Sequence, residues 1–191
     1  MNTPHRLAIR RIEEAFTRID PVFLNTPQYT NESLNEVLNT TLILKIETLN
    51  PVRSFKGRGA DLLVAQLKTN SPLVCASAGN FGQAMAYACR KRKINLTVYA
   101  SRNANPLKIE RMKKLGAQVI LHGEDFDAAK VEAKQEAANS GSRFVEDSLD
   151  IETLEGSGTI GLELLKLPQK IDVLLVALGN GALINGIGRV F

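Results

Sequence analysis

The sequence has little cysteine and no long apolar run, and these absences exclude several classes of protein. Its two cysteines, Cys75 and Cys89, lie in apolar stretches without the spacing of metal ligands, which predicts buried, reduced thiols and argues against a disulfide scaffold. No stretch approaches the roughly 18 apolar residues of a membrane span. The N-terminal segment lacks the continuous apolar core of a signal peptide. We therefore expect a cytoplasmic protein that does not bind a membrane.

The charge of the chain is nearly balanced, with 24 lysines and arginines against 20 aspartates and glutamates. The basic residues follow helical patterns and alternate with acidic ones, which argues against a nucleic-acid partner. One basic cluster stands out, at residues 90–93. Cations are favoured at the C-terminus of a helix, so this cluster predicts a solvated helix end.

Short apolar segments alternate with helical patterns along the chain, with no repeat or low-complexity linker. Strands are predicted at 42–47, 72–77, 96–101, 117–123, 143–147 and 172–178, and helices at 4–18, 55–67, 82–91, 106–115, 126–139 and near 159–167. This alternation predicts an α/β fold in which right-handed crossovers build a parallel sheet with helices on both faces.

The first segment that suggests chemistry is NPVRSFKGRGA, residues 50–60, at a junction between a loop and a helix. Lys56 falls in the first turn of that helix, where the positive end of the macrodipole disfavours an ammonium group. A lysine that has to form an imine needs a neutral amine. A solvent-exposed lysine in a glycine-containing turn explains the segment equally simply.

Two further segments each join a predicted strand to a helix through small residues: SAGNFGQ, residues 77–83, and GNGAL, residues 179–183. Such loops let the backbone approach a ligand, and the amides at a helix start can bind a carboxylate or a phosphate. Both follow the carboxyl ends of predicted strands, where ligands bind in open α/β sheets. Taken singly, each is also compatible with an ordinary tight turn.

A dinucleotide site is the competing interpretation, because residues 156–161, GSGTIG, satisfy the pattern G-x-G-x-x-G. The pattern does not directly follow a strand, and the next strand ends in Gly179-Asn180 rather than in an acidic residue that could bind a ribose. We therefore reject a nicotinamide cofactor.

Taken together and in this order, the three segments resemble the pyridoxal-phosphate enzymes of the threonine dehydratase, serine racemase and cysteine synthase superfamily. Similarity to the dehydratase branch extends over roughly residues 7–188 and includes residues 105–108, 115–117, 123–126 and 156–159. The resemblance implies the fold of the tryptophan synthase β-like enzymes, in which two three-layer α/β domains with largely parallel sheets hold the cofactor, pyridoxal 5'-phosphate, between them.

The resemblance also assigns roles to residues. Lys56 would carry the cofactor as a Schiff base and then take the Cα proton of the substrate, Phe55 would pack near the cofactor ring, and Asn80 would hydrogen-bond its 3-hydroxyl oxygen. The substrate carboxylate would be bound by Ser77, Ala78, Gly79, Asn80 and Phe81. The cofactor phosphate would be bound by Gly179, Asn180, Gly181, Ala182 and Leu183.

The activity implied is that of an ammonia-lyase, which converts a small amino acid, serine or threonine, to a 2-keto acid and ammonia. Two alternatives stay open: β-replacement, as in cysteine synthases, and a truncated paralogue without catalytic activity. The family also leads us to expect a homodimer or a higher homo-oligomer. No metal ligand is assigned.

Four positions depart from the family pattern. Ala78 stands where racemases carry a second serine, which makes racemisation less favoured, and Phe81 stands where dehydratases have a histidine. Asn180 and Ala182 interrupt a run of glycines in the phosphate loop.

The resemblance predicts a discontinuous domain arrangement. Residues 50–148 would form the smaller domain, and residues 1–49 with 149–191 would form part of the larger one. The sequence ends within the first turns of a predicted helix, so we expect a truncated chain in which the C-terminal part of the larger domain is missing.

Overall fold

The structure is a computed structural model that describes residues 6–191. A short 3-10 helix lies at Pro21–Phe23. The helices are α1 (Ile9–Arg18), α2 (Glu32–Leu38), α3 (Lys56–Ala65), α4 (Asn80–Arg92), α5 (Pro106–Lys114), α6 (Phe126–Ser140), α7 (Ile151–Leu164) and α8 (Ala182–Gly188). The strands are β1 (Gln28–Thr30), β2 (Ile43–Lys45), β3 (Leu73–Ala76), β4 (Leu96–Ala100), β5 (Gln118–Leu121) and β6 (Arg143–Val145).

A parallel sheet of four strands forms the centre of the fold, in the order β5-β4-β3-β6. On β3, Cys75 pairs with Val98 of β4 on one side and with Val145 of β6 on the other. The predicted α/β fold with a parallel sheet is therefore confirmed. A separate antiparallel pair, β1 and β2, was not predicted as such, because only the second strand was expected.

Helices cover both faces of the central sheet. On one face, Ala129, Ala133 and Ala137 of α6 pack against Val74 and Tyr99. Cys75 and Val98 point to the opposite face and belong to the large cluster that includes side chains of α3 and α4. Neighbouring residues of a strand face opposite sides, so β3 is buried on both faces, as its continuous apolar sequence predicts.

Both cysteines are buried and reduced, as predicted. Burial raises the pKa of Cys89 to about 12, and it raises the pKa of Cys75 further above its ordinary value. A thiol with a raised pKa carries little thiolate near neutral pH, so neither cysteine is a reactive nucleophile.

The basic residues 90–93 lie at the C-terminal end of α4, as predicted. Lys91 pairs with Asp20, and Arg92 lies 4.0 Å from Asp61. Within residues 6–191, no helix has the length and the apolar composition needed to cross a bilayer.

The glycine pattern at residues 156–161 lies inside α7, which begins eight residues earlier than the predicted start near 159. Glycine normally disfavours a helix interior, but here it permits a close contact between helices. A Cβ atom on Gly156 would lie 2.5 Å from the backbone of Gly59 in α3. The pattern therefore serves helix packing, which agrees with the rejection of a dinucleotide site.

The strand predicted at 172–178 is absent. Val173, Leu175 and Leu178 are 77%, 86% and 75% exposed, and no strand within residues 6–191 pairs with this segment. The apolar sequence is suited to a buried strand, but a strand also needs a neighbour that satisfies its backbone hydrogen bonds. The N-terminal helix predicted at 4–18 begins at Ile9, and residues 1–5 lie outside the described part of the chain.

A buried charge network connects α3, α7 and the segment around β2. Arg58 is fully buried; its guanidinium lies 2.5 Å from Glu163 and 2.9 Å from Glu47, and it donates to Thr159 at 3.0 Å. Lys45 is 2.5 Å from Glu163. Burial alone would raise the pKa of Glu163, but hydrogen bonds and charge from Arg58, together with Lys45, outweigh burial and hold the pKa below its ordinary value. Ionised Glu163 therefore stabilises the fold above its ordinary pKa, and this contribution is lost as the pH falls through the lowered value.

Replacement of Arg58 by methionine is expected to lower the free energy of unfolding by about 3–5 kcal/mol, because it leaves buried Glu163 and partly buried Glu47 without their shared cation. Urea denaturation followed by circular dichroism measures the change. The matched control is Lys170→Met, which removes a cation from an exposed pair with Asp172 and should change stability by less than about 0.5 kcal/mol. A loss below about 1 kcal/mol in Arg58→Met would contradict a stabilising role for the network.

Candidate active site

The sheet has a topological switch point between β3 and β6. From β3 the chain continues through α4 to β4 and then to β5 on one side, whereas β6 lies on the other side of β3. The loops that follow β3 and β6 therefore diverge from neighbouring strands and leave a crevice at their carboxyl ends, the usual place for a ligand in such sheets.

A cavity of about 610 Å³ occupies this crevice. Its walls come from the starts of α3 and α6, from the loop after β3, and from the end of β6 with the loop that follows it. The last wall is residues 177–183, which include the glycine loop at 179–183. Most of the residues predicted to bind cofactor or substrate line it, namely Phe55, Lys56, Ser77, Ala78, Asn80, Phe81, Gly179, Asn180, Gly181 and Leu183. Gly79 and Ala182 do not line the cavity, and Ala182 is buried.

Lys56 is the first residue of α3, as the sequence predicts, and its side chain is 14% exposed. Its Nζ atom lies 2.5 Å from Asp147 Oδ2, 3.3 Å from Asn180 Oδ1 and 4.5 Å from the centre of the Phe55 ring. The alternative of a solvent-exposed lysine is therefore wrong. The Asp147 carboxylate and the start of the helix act on a charge at this nitrogen in opposite directions, because the carboxylate attracts an ammonium that the helix dipole disfavours.

Asp147 was not recognised from the sequence. It lies two residues after the end of β6, and its Oδ2 atom accepts a hydrogen bond from Asn180 Nδ2 at 2.6 Å as well as contacting Lys56. The Asp147 Oδ1 atom is buried and has no hydrogen-bond partner among residues 6–191. An acidic residue just past the carboxyl end of a parallel strand, beside the strand that precedes Ser77, was the available signal.

The loop after β3 is held closed by the Ser77 hydroxyl. Ser77 Oγ accepts hydrogen bonds from the backbone amides of Gly79 at 3.2 Å and Gly82 at 2.9 Å. A Cβ atom on Gly82 would lie 2.5 Å from the sulfur of Met112, so the close packing of this turn requires glycine. The hydroxyl hydrogen of Ser77 remains available to a ligand in the cavity.

Asn80 begins α4 and faces the cavity with a defined amide orientation. Its Oδ1 atom accepts hydrogen bonds from the Lys108 ammonium and from Gln83 Nε2, the latter at 3.4 Å. The oxygen is thereby occupied, and the NH₂ group is left as the donor for a ligand. Lys108 was not predicted to contribute to the site, although it lies in the segment 105–108 that supports the family resemblance.

The glycine loop at 179–183 has the local geometry of a close turn. Gly181 has φ +91°, in the left-handed region that favours glycine. Asn180 Oδ1 accepts a hydrogen bond from the Ala182 amide at 3.3 Å and holds the turn closed.

These residues fit pyridoxal phosphate. The cavity places a primary amine, Lys56, between an aromatic ring, Phe55, and a glycine loop whose backbone can approach an anion. Asn80 also lines the cavity and has its NH₂ group available as a donor. An aldehyde, a flat ring, a ring oxygen and a phosphate would each meet a group of matching chemistry.

Comparison with known proteins shows which family this chain resembles. The family of pyridoxal-phosphate dependent enzymes matches residues 19–191. The biosynthetic L-threonine dehydratase of Mycobacterium tuberculosis is 35% identical over 183 residues, which are 92% of this chain and 43% of that protein. The mitochondrial threonine dehydratase of Saccharomyces cerevisiae is 35% identical over 195 residues, 98% of this chain and 33% of that protein.

Solved structures show the same fold. Maize serine racemase superposes with a TM-score of 0.89 at 28% identity and covers 96% of this chain, which matches 57% of the racemase. The processed form of threonine deaminase isoform 2 from Solanum lycopersicum gives a TM-score of 0.85 at 27% identity, over 100% of this chain and 58% of that protein. The chain spans between 33% and 58% of the length of these four proteins.

Replacement of Ser77 by alanine is expected to loosen the loop after β3, because two backbone amides lose their acceptor at a cost of about 1–3 kcal/mol. Hydrogen–deuterium exchange followed by NMR should show faster exchange at the Gly82 amide. Ser140→Ala serves as the control, because Ser140 is exposed and bonds within its own helix end. Unchanged exchange at Gly82 would contradict the role of the hydroxyl.

Proposed function

Because the chain belongs to the family of pyridoxal-phosphate dependent enzymes, we propose that it forms the catalytic cleft of an ammonia-lyase that converts serine or threonine to a 2-keto acid and ammonia. The observation that carries the proposal is the convergence of Lys56, the loop 77–81 and the glycine loop 179–183 on one cavity. Similarity to threonine dehydratases and to a threonine deaminase structure favours this reaction within the family.

Different residues of the cavity would bind different parts of the cofactor and of the substrate. The glycine loop, residues 179–183, would bind the cofactor phosphate, and Phe55 would pack against the cofactor ring. The NH₂ group of Asn80 would donate to the ring oxygen. The loop 77–81, with the Ser77 hydroxyl and the amides at the start of α4, would hold the substrate carboxylate. Bound pyridoxal phosphate supplies the electron sink that stabilises negative charge on the substrate Cα.

Lys56 has two roles in this proposal. It would hold the cofactor covalently through Nζ, and, once the substrate amine has displaced it, Nζ would take the proton from the substrate Cα. The β-hydroxyl would then leave as water with a proton returned by the Lys56 ammonium, and hydrolysis of the enamine so formed would yield the keto acid and ammonia.

The walls of the cavity favour elimination from a small, uncharged side chain. Ala78 lines the cavity with a methyl group and offers no hydroxyl for a second acid or base, which supports elimination over racemisation. Phe81, Phe126 and Phe144 provide apolar lining. The nearby charges of Lys130 and Glu146 pair with each other, so they do not form a site for a charged side chain.

We further propose the domain arrangement implied by the family, with residues 50–148 as the smaller unit and residues 1–49 with 149–191 as part of the larger one. In support, the parallel sheet lies wholly within residues 73–145. We also propose that the protein forms a homodimer or a higher homo-oligomer, has no nucleic-acid partner and acts in the cytoplasm. The related yeast protein is described as mitochondrial.

The cofactor role of Lys56 is tested by absorbance. Full-length protein mixed with pyridoxal phosphate should show the visible band of a protonated imine, and Lys56→Ala should not, because alanine has no amine. Lys170→Ala removes an exposed lysine and should keep the band. A band of equal intensity in Lys56→Ala would overturn the assignment.

The reaction is tested with the loaded full-length protein. Serine or threonine alone should release keto acid, detected with a coupled dehydrogenase, whereas a β-replacement enzyme should form product only when a sulfide-like nucleophile is added. Lys56→Ala should lower the rate by about 10²–10⁴-fold, the usual contribution of a positioned base. Release that requires sulfide would replace the lyase proposal by β-replacement.

A further inference from the structure

The ammonium of Lys56 has one carboxylate partner within the described residues, Asp147. Their contact at 2.5 Å joins the start of α3 to the loop after β6, and Asn180 brings the glycine loop to the same oxygen at 2.6 Å. The two side chains are 14% and 13% exposed, so solvent screens this pair less than it screens a surface pair.

The other charged groups in the cavity, and Lys108 beside Asn80, are engaged elsewhere. Glu146, the neighbour of Asp147, pairs with Lys130 and Lys134. Lys108 donates to Asn80. The charge on Asp147 is therefore balanced by Lys56, and the charge on Lys56 by Asp147.

We propose that Asp147 is a positioning residue that holds Lys56 as an ammonium, both before the cofactor binds and again after Lys56 has taken a proton from the substrate. The second half rests on the proposed function. Nothing in the family resemblance assigns a role to this position. Removal of the carboxylate should therefore make cofactor loading faster and turnover slower.

Before the cofactor binds, the ion pair opposes the reaction of the amine. The Lys56 ammonium must first lose a proton to solvent, because only the lone pair of the neutral amine can bond to the cofactor aldehyde carbon. The aldehyde oxygen then leaves as water. Asp147 stabilises the starting ammonium and so slows this step.

During turnover, the same contact assists the lysine. Once the substrate amine has displaced Lys56, Nζ takes the Cα proton and becomes an ammonium, while the electron pair of the Cα–H bond stays with the substrate and its cofactor. The positive charge forms 2.5 Å from the position of Asp147 Oδ2 in the empty site. Asp147 therefore stabilises the protonated lysine and fixes where Nζ lies.

The experiment compares cofactor loading and turnover in full-length Asp147→Asn, which keeps the shape of the side chain and an oxygen that can accept from Asn180. Stopped-flow absorbance after mixing with pyridoxal phosphate gives the loading rate. We expect loading to become roughly twofold to fivefold faster, the effect of removing a partly screened ion pair. We expect kcat for keto-acid release to fall at least about tenfold, as part of the contribution of the base is lost.

Two variants serve as controls. Asp172→Asn removes the same charge from an exposed residue paired with Lys170 and should change neither rate. Asp147→Glu retains a carboxylate and should restore slow loading and part of kcat. Thermal denaturation of each variant verifies that it is folded.

Each outcome is decisive. A merely structural Asp147 would slow both loading and turnover in Asp147→Asn, and that result overturns the proposal, as does an unchanged loading rate. If the wild-type protein loads the cofactor but releases no keto acid from serine or threonine, the proposed function fails separately. The loading rates and the exchange of substrate Cα protons with D₂O, read by NMR, then still test Asp147.

Discussion

Arg58 lies fully buried between two carboxylates, and the position of Lys56 follows from that burial. Arg58 is two residues beyond Lys56 in the same helical turn, and it ties α3 to Glu47 after β2 and to Glu163 near the end of α7. Taking a guanidinium out of water is costly unless its hydrogen bonds are met, and here they are met from two directions. The first turn of α3 can therefore neither rotate nor withdraw without breaking this network.

Close packing reinforces the same turn. A Cβ atom on Gly57 would lie 2.3 Å from the Phe23 ring, and one on Gly59 would lie 2.6 Å from Thr153. These glycines allow the 3-10 helix and α7 to approach α3 from different sides. Lys56 precedes these glycines, so the packed first turn of α3 holds its side chain at the cavity. Covalent attachment of a cofactor and proton transfer both need such a fixed position.

The sequence predicted what depends on local pattern and missed what depends on distant neighbours. Strands β3 to β6 and helices α3 to α6 were expected close to their true bounds, because each combines a clear apolar period with a recognisable end. The segment 172–178 has the composition of a strand, yet its state is decided by whether another strand lies beside it. The start of α7 was missed because its glycines resemble a loop until the backbone of Gly59 is seen against them.

For the site, the sequence predicted the residues that belong to recognisable loops, and the structure brings most of them to one cavity. Asp147 and Lys108 were missed because the contact that brings each of them to the site is with a residue far along the chain.

The pairing of β3 with β6 sets a limit on how such a chain can vary in length. Cys75 lies opposite Val145, so Ser77 and Asp147, each two residues further on, follow the sheet edge at matching positions. One residue inserted within β6 would shift everything after it by about 3.3 Å and exchange the faces of the strand. Asp147 would then lose Lys56 although no side chain had been substituted. We therefore expect β6 to tolerate a change of residue type at exposed Arg143 better than any insertion or deletion.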